Sequence, residues 1–482
     1  MFDLRPVGYV IGLLVVGLSL TMIPPMLVDL VQGQGHWFAF LESALITFAT
    51  GLLLAMACQN GLSDRLSIQQ TFLLTTGVWV ALPLFGAIPF VLGATDASFT
   101  DAFFEAMSGM TTTGSTVFSG LDDLPRGLLL WRGILQWLGG IGIIVVAMVF
   151  LPELRVGGMQ IFKSEAFDTM GKILPRATEI ATQISVIYVA MTLACLICYM
   201  VLGMQPFDAI VHALTTISTG GFSNYDASFG TFQGPMEYAA SVFMILASLP
   251  FVRYIQMVAG TARPLLRDSQ IHAYLITIAI LTVAFTIYRI VLNGDNFEHG
   301  LREGVFNVTS IISGTGYASV DYQLWGPAAV TAFFFIGLIG GCAGSTSCSI
   351  KVFRYQLLFA AISTQVRRLY APHGVFEPRF EGRPVAEEVL SSVMAFFVLF
   401  FVTLGIVAVL LGLTGLDVVT SVSGAATALG NIGPGLGDTI GPSGNFESLN
   451  DTAKWILSAA MLIGRLELMA VMVLFTSTFW RV

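Results

Sequence analysis

The chain has 482 residues, 55% of them apolar before its 50 glycines are counted, and only 11% charged, against about 25% charged in ordinary soluble domains. A soluble fold has no interior large enough for that apolar load, and a disordered chain would carry more charge and less hydrophobicity. The net charge of −8 leaves no basic surface for phosphates, so soluble enzymes, disordered chains and nucleic-acid binders are excluded.

The apolar runs approach 20 residues and do not alternate as ten-residue strands do, which predicts an all-α membrane protein. The first run, 7–31, follows one charge pair, Asp3 and Arg5. No small-residue cleavage site comes after it, so it reads as an uncleaved first helix rather than a signal peptide. Further full-length helices are expected at 38–60, 70–93, 127–150, 180–203, 237–260, 271–292, 387–412 and 453–478. The stretch 328–360 is also hydrophobic but, at ~1.5 Å per residue, too long for one span, and glycine, serine and threonine interrupt its middle. The expectation is ten helices, one of them broken. Cys195 and Cys198 form a CxxC inside an apolar run without nearby His or Cys, which reads as helix packing rather than a metal site.

Charge orients these helices. The stretches 151–179 (Arg155, Lys163, Lys172, Arg176), 253–267 (Arg253, Arg263, Arg267) and 351–383 (Lys351, Arg354, Arg367, Arg368, Arg379, Arg383) are basic. The positive-inside rule places them in the cytoplasm. The stretches between them are acidic, with Asp101, Glu105, Asp122 and Asp123, then Asp208 and Asp226, then Asp295, Glu298 and Glu303, then Asp417, Asp438, Glu447 and Asp451. They face outward, where an acidic mouth concentrates cations and where plain solvated loops account for the acids equally well.

Four short semi-apolar segments lie between the long helices, at 101–110, 208–217, 302–312 and 417–429. A helix of about ten residues crosses only half a bilayer. Each is followed by a tetrad: Thr111-Thr112-Thr113-Gly114, Ser218-Thr219-Gly220-Gly221, Ser313-Gly314-Thr315-Gly316 and Gly430-Asn431-Ile432-Gly433. Thirteen residues before the last glycine stands an acid in three of the four, Asp101, Asp208 and Glu303; the fourth has Thr420 there, with Asp417 slightly earlier. The last glycines recur roughly a hundred residues apart, which marks an internal repeat.

This pattern has a physical use. Irregular backbone at membrane depth survives only where it is buried in protein or lines water. The C-terminal end of a half-helix favours a cation, and the acid near its N-terminus complements the other end of the dipole. Glycine permits positive φ, so successive carbonyls can point the same way, and threonine and serine hydroxyls can add ligands. Four such turns around one axis make a cage of oxygens that replaces the water of a dehydrating cation. The expected architecture is therefore four pseudo-symmetric helix–pore-helix–helix repeats around one central pore.

Across nearly the whole chain the sequence resembles the TrkH branch of the Trk/Ktr/HKT superfamily of potassium transporters. The resemblance rests on SGMTTTGSTVF (108–118), WRGILQWLGGIGIIV (131–145), STGGFS (218–223), SGTGYAS (313–319), GGCAGSTSCSIKVFR (340–354), ALGNIGPG (428–435) and GRLELM (464–469). It implies two N-terminal helices over 1–66, then repeats over 67–160, 161–268, 269–370 (with a broken second helix) and 371–482. It implies that Gly114, Gly221, Gly316 and Gly433 are the filter glycines, that potassium is the ion held, and that glycine at the first of them favours potassium where related plant transporters with serine carry sodium. It further implies a homodimer in which each chain has its own pore, a separate cytoplasmic nucleotide-binding ring (RCK/TrkA-like) as regulatory partner, and a multi-pass location in the bacterial inner membrane. The sequence departs from the pattern at Cys348-Ser349, where similar proteins carry a Gly-Gly pair. That departure bears on the mobility of the loop.

Two features are expected beneath the filter. The small residues Gly340, Gly341, Cys342, Ala343, Gly344, Ser345, Thr346, Ser347, Cys348 and Ser349 permit non-helical backbone inside the membrane and exceed what a helix-packing seam requires. In the family this stretch is an intramembrane loop that obstructs the pore. Arg465 lies in the apolar run 453–478, where a central arginine costs ~2.5–3.5 kcal/mol and faces a cavity or a partner. It reads equally as an electrostatic barrier that also ties down the loop and as a structural salt bridge, for instance with Glu467 of a neighbouring subunit or with a loop acid.

Other readings are weaker. Tyr225-Asp226 and Gly435-Leu436-Gly437-Asp438 resemble the paired motifs of intramembrane aspartyl proteases, whose two carboxylates share one proton. Both fall in polar outer segments rather than apolar helices. The glycine clusters lack the Lys-Ser/Thr of a phosphate loop. Within transport, a sodium-permeable or proton-coupled symporter is the closer alternative. No buried Asp/Glu/His relay is evident along the helices: Glu42 sits in the peripheral second helix, and His212, in a pore helix, reads as a satisfied core histidine.

Overall fold

The computed structural model describes residues 3–33, 35–61, 66–150 and 177–480. The basic stretch 151–176 and the expected boundary between the first two repeats at 160/161 lie outside the described residues. Among the described residues the structure is mostly helical, and its strands form one short hairpin, Arg379–Phe380 against Arg383–Pro384. Among the described residues seven helices are each long and apolar enough to span a membrane singly: Arg5–Val31, Trp37–Cys58, Ile68–Leu92, Arg126–Met148, Glu179–Val201, Ser269–Asn293 and Glu387–Leu413.

Local chemistry sets the helix ends. Ser67 and Gln70 close a reciprocal capping box at the start of the third span. That arrangement satisfies two orphan donors. Proline opens the helices at Pro206, Pro235 and Pro327, where its missing N–H costs nothing. Four short helices enter from the outer side: Phe99–Met110, Pro206–Ile217, Phe297–Ser313 and Val418–Gly430. Three match the expected half-spans. The third starts earlier, which puts Glu303 in mid-helix rather than at its N-terminus. Glu303 is paired there with Arg289 and with His299 (3.0 Å) and does not serve as a dipole partner.

The second helix of each repeat corrects the expectation of a single break. In repeat 1 it runs unbroken from Arg126 to Val145 and continues through a wider turn, Val146–Phe150. In repeat 2 the helices Pro235–Ala247 and Phe251–Val258 meet at 87°, so 237–260 is not one straight span. Pro250 explains it, since proline lacks an N–H and disfavours helix in the residue before it. In repeat 3 the helices Pro327–Gly337 and Val352–Tyr370 are separated by the small-residue loop, as expected. In repeat 4, Asp451–Arg465 and Leu468–Phe475 meet at 112°, so Arg465 ends a helix instead of sitting inside one. The turn is made by Glu467 at φ 64°, with its carboxylate paired to Arg354. Arg354 also lies 3.9 Å from the centre of the Phe396 ring.

Candidate functional site

The four pore helices end alike. The N–H of the second tetrad residue bonds back three residues: Thr112 to Gly109 (3.0 Å), Thr219 to Thr216 (3.0 Å), Gly314 to Ile311 (3.0 Å) and Asn431 to Ala428 (3.3 Å). The N–H of the third bonds back five: Thr113 to Ser108 (2.8 Å), Gly220 to Thr215 (2.9 Å), Thr315 to Ser310 (2.9 Å) and Ile432 to Thr427 (3.1 Å). These bonds follow the Schellman pattern, which needs a left-handed residue just past the helix. Thr112, Thr219, Gly314 and Asn431 supply it, with φ of 52°, 50°, 76° and 49°. Glycine is the residue expected at positive φ, and of these four only Gly314 is one; the other expected positions are the last glycines. Those are left-handed too, at 86°, 76°, 80° and 107° for Gly114, Gly221, Gly316 and Gly433. Left-handed residues thus stand at the second and fourth places of every tetrad. For β-branched Thr112 and Thr219 this φ is strained, as backbone at functional sites often is.

The turns also touch in order. A Cβ on Gly114 would meet the carbonyl oxygen of Gly220 at 2.2 Å, and one on Gly221 that of Thr315 at 1.8 Å. On Gly316 it would meet Ile432 at 1.8 Å, and on Gly433 it would meet Thr113 at 3.0 Å. Each last glycine abuts the third residue of the next repeat, and the fourth returns to the first, so the four turns close a ring. The last glycines all open on an outer vestibule of about 260 Å³. Within two of the tetrads the hydroxyls bond each other, Thr111 with Thr113 and Ser313 with Thr315, both at 2.7 Å.

Behind the ring, each pore helix carries a polar residue that grips the strand leaving its own turn. Glu105 accepts from the Val117 N–H (2.9 Å) and from Thr116, and pairs with buried Arg132 (2.8 Å). Arg132 also donates to the Ser223 carbonyl at 2.7 Å, beyond the second turn. His212 pairs with Ser223 (3.1 Å) and with the Asp208 carbonyl (2.8 Å), a satisfied core histidine as expected. Asn307 donates to Ser319 (3.0 Å), and Ser423 accepts from the Leu436 N–H (2.9 Å). The sequence reading missed this set as a set. Its signal was a polar residue nine or ten places before the last glycine in every half-helix.

The outer acids are mostly engaged. Asp101 accepts from Lys454 (2.6 Å). Asp208 accepts from Asn224 (2.7 Å) and Tyr225 (2.9 Å). Partial burial, aided by that carboxylate, pushes the Tyr225 phenol up to about 12, so it remains a donor. Asp226 lines the vestibule, and its carboxylate takes the N–H groups of Gly120 (2.8 Å) and Leu121 (3.1 Å). Asp226 and Asp438 are both exposed on outer segments, which is no setting for a dyad sharing a proton.

Beneath the ring lies the loop 338–351. Ser347 Oγ donates to the Ser313 carbonyl (2.6 Å), the Ser349 N–H to the Gly430 carbonyl (2.9 Å), and Cys348 Sγ is 3.5 Å from Thr112 Oγ1. The loop therefore touches the tetrads of repeats 1, 3 and 4. Its other groups fill the break in repeat 2. The Cys342 N–H bonds Ser248 O (3.1 Å), Thr346 bonds Ala247 O, and the Phe251 N–H bonds Gly344 O (2.9 Å). The Ala343 N–H bonds the Gln270 side chain (3.0 Å). Ser345 Oγ donates within the loop to Cys342 O (2.6 Å), and Gly340 and Gly341 are held by Ile350 O (2.9 Å) and Ser347 Oγ (2.8 Å).

Arg465 is buried under this loop. Its guanidinium donates to Cys348 Sγ, to the Thr346 carbonyl (3.4 Å) and to the Gly139 carbonyl (3.4 Å), and its Cζ lies 5.6 Å from the centre of the Trp79 ring. Among the described residues no carboxylate pairs with it. Glu467, one suggested partner, belongs to Arg354 of the same chain. With Lys351 and Asn431, Arg465 borders an inner pocket of only about 40 Å³.

Known proteins resemble this chain over its whole length. A model of the TrkH family, described as cation transport protein, matches residues 36–481. The chain is 44% identical to the Trk system potassium uptake protein TrkI of Halomonas elongata over 99% of its own length and 97% of that protein's. It is 35% identical to the Trk system potassium uptake protein TrkH of Escherichia coli K12, covering 99% of both. The crystal structure of the potassium transporter TrkH from Vibrio parahaemolyticus superposes with a TM-score of 0.92, at 32% identity and full coverage of both chains.

Proposed function

The chain belongs to the TrkH family of cation transport proteins, and we propose that it takes up potassium across the bacterial inner membrane through a channel-like pore. It is a transporter rather than an enzyme. The ring of tetrads is its selectivity filter, residues 67–160, 161–268, 269–370 and 371–482 are its four repeats, and potassium is its cargo rather than a resident cofactor. The observation that carries this reading is the closed order of contacts, in which each last glycine abuts a carbonyl of the next repeat. Carbonyls held in such a ring replace the hydration shell of a dehydrated cation, and four helix C-termini pointing at it add favourable partial negative charge.

The loop 340–349 and Arg465 form the gate. The loop closes the inner side of the ring through Ser347, Cys348 and Ser349. The buried guanidinium adds a repulsive charge that a cation must pass, and its bonds to Thr346 and Cys348 hold the loop in place. Opening requires both to withdraw. Control by a separate cytoplasmic nucleotide-binding ring, acting on a homodimer, fits the exposed basic end of the chain's cytoplasmic face, where Arg367 and Arg368 end one helix and Arg379 and Arg383 stand on the hairpin.

The test is radioactive rubidium uptake into liposomes containing the purified protein, driven by a potassium gradient, with sodium as competitor. Uptake that potassium suppresses and sodium does not is the expected result. Absence of rubidium flux, or equal competition by sodium, would overturn the reading. Gly114→Ser should weaken discrimination against sodium in the same assay, because its side chain meets the Gly220 carbonyl.

A further inference from the structure

We propose that a phospholipid acyl chain from the surrounding bilayer enters a lateral cavity of this protein and lies against the wall that carries Arg465. The cavity measures about 600 Å³ and is bounded by the spans Arg5–Val31, Ile68–Leu92 and Arg126–Met148, with Ser185 at its edge. An apolar cavity a quarter that size, ~150 Å³, stays dry and admits benzene.

The walls recognise only hydrocarbon. The hydroxyls lining the cavity, Thr21, Thr75 and Ser185, donate to carbonyls of their own helices, at Leu18 (2.7 Å), Thr71 (2.8 Å) and Ala181 (2.8 Å). With their donors spent on their own helices, these hydroxyls leave a water short of the two to four polar partners it needs. The mouth opens beside Leu14, which is 42% exposed, and Gly17, where an added Cβ would meet nothing within 4 Å. Both lie on a spanning helix, so the medium at the mouth is lipid acyl chain, and that identifies the occupant.

The deep end makes the site consequential. Met110, the last residue of the first pore helix, and Gly139 and Trp79 form it. Gly139 and Trp79 are also supports of Arg465, and the Gly139 backbone is packed tightly on the Met110 carbonyl. An acyl chain in the cavity therefore buttresses both the end of a pore helix and the seat of the arginine.

The experiment uses the full-length protein in liposomes containing a phosphatidylcholine with a diazirine on its acyl chain. After irradiation, peptides are mapped by mass spectrometry. Labelling is expected at Met110 and within 138–142 as well as at bilayer-facing residues such as Leu53 and Ile276. Gly17→Trp, whose indole grows into the open space, should lower the deep labelling about fivefold or more while leaving Leu53 and Ile276 labelled. Val78→Trp fills the cavity from the opposite helix and gives the same test if Gly17→Trp does not fold. Labelling of Leu53 and Ile276 without the deep residues, or deep labelling that survives both plugs, overturns the site. Rubidium flux should shift about twofold or more in the plugged variants, and unchanged flux with the label lost would remove the coupling to Arg465.

Discussion

The outer and inner halves of this molecule follow different rules. At the ring, four unlike sequences adopt one conformation: the same two backbone hydrogen bonds, the same left-handed second and fourth residues, the same polar grip from behind. Just beneath, the four second helices diverge into one that runs on, one bent at 87°, one interrupted by a loop and one bent at 112°. The difference follows from geometry. A cation on an axis can be surrounded equally by four repeats, so each must offer the same atoms. An obstruction on that axis can come from only one repeat, and its neighbours must bend to make room and to satisfy its backbone. The buried Ala247 and Ser248 carbonyls at the repeat 2 bend accept bonds from the repeat 3 loop for this reason.

Five substitutions separate the halves. Arg132→Ala should have the largest effect, because it leaves Glu105 buried without its cation. Losing one partner of a buried pair costs ~3–5 kcal/mol. Thermal unfolding in detergent measures it, and an unchanged melting temperature would mean that the ring stands without its rear support. Gly221→Ala comes next. The methyl group would sit 1.8 Å from the Thr315 carbonyl at φ 76°, whereas in Gly433→Ala the nearest carbonyl, that of Thr113, is 3.0 Å away. Left-handed strain alone is about 1–3 kcal/mol, so rubidium-over-sodium discrimination should fall much further in Gly221→Ala. Equal losses would show that ring contact does not set selectivity.

The inner half should respond in flux and leave selectivity alone. Arg465→Ala is expected to raise rubidium flux about tenfold, equivalent to ~1.4 kcal/mol of barrier, with the rubidium-to-sodium ratio preserved. A changed ratio would erase the distinction between filter and gate. Ser347→Ala removes the loop's bond to the Ser313 carbonyl, a loss of about 1 kcal/mol. Its flux should rise less than that of Arg465→Ala, and a larger rise would make the loop, not the arginine, the main barrier.

The parts of the site legible in the sequence were those with a local cause. The last glycines announce themselves because only glycine takes positive φ without strain, and the half-helices because their length is half a bilayer. The left-handed second residues were hidden, since Thr112 and Thr219 are β-branched and have poor intrinsic preference for that conformation. Pro250 marks the bend in repeat 2 from within its own segment. Nothing near Glu467 marks the bend in repeat 4, because the partner that holds it, Arg354, is 113 residues away. Arg465 was recognisable as a misplaced charge, but its supports, Gly139, Trp79 and Cys348, come from three other segments.

By itself, the sequence determined a helical membrane protein with four re-entrant turns, because hydropathy and glycine placement act over tens of residues and need no knowledge of neighbours. Only the tertiary structure decided the cyclic order in which the turns touch, which helices break, and which groups surround the buried arginine. Those features depend on backbone groups finding partners across repeats. Inside a bilayer, where water cannot serve, the partner must be another part of the chain, and its identity is fixed only when all the helices are in place.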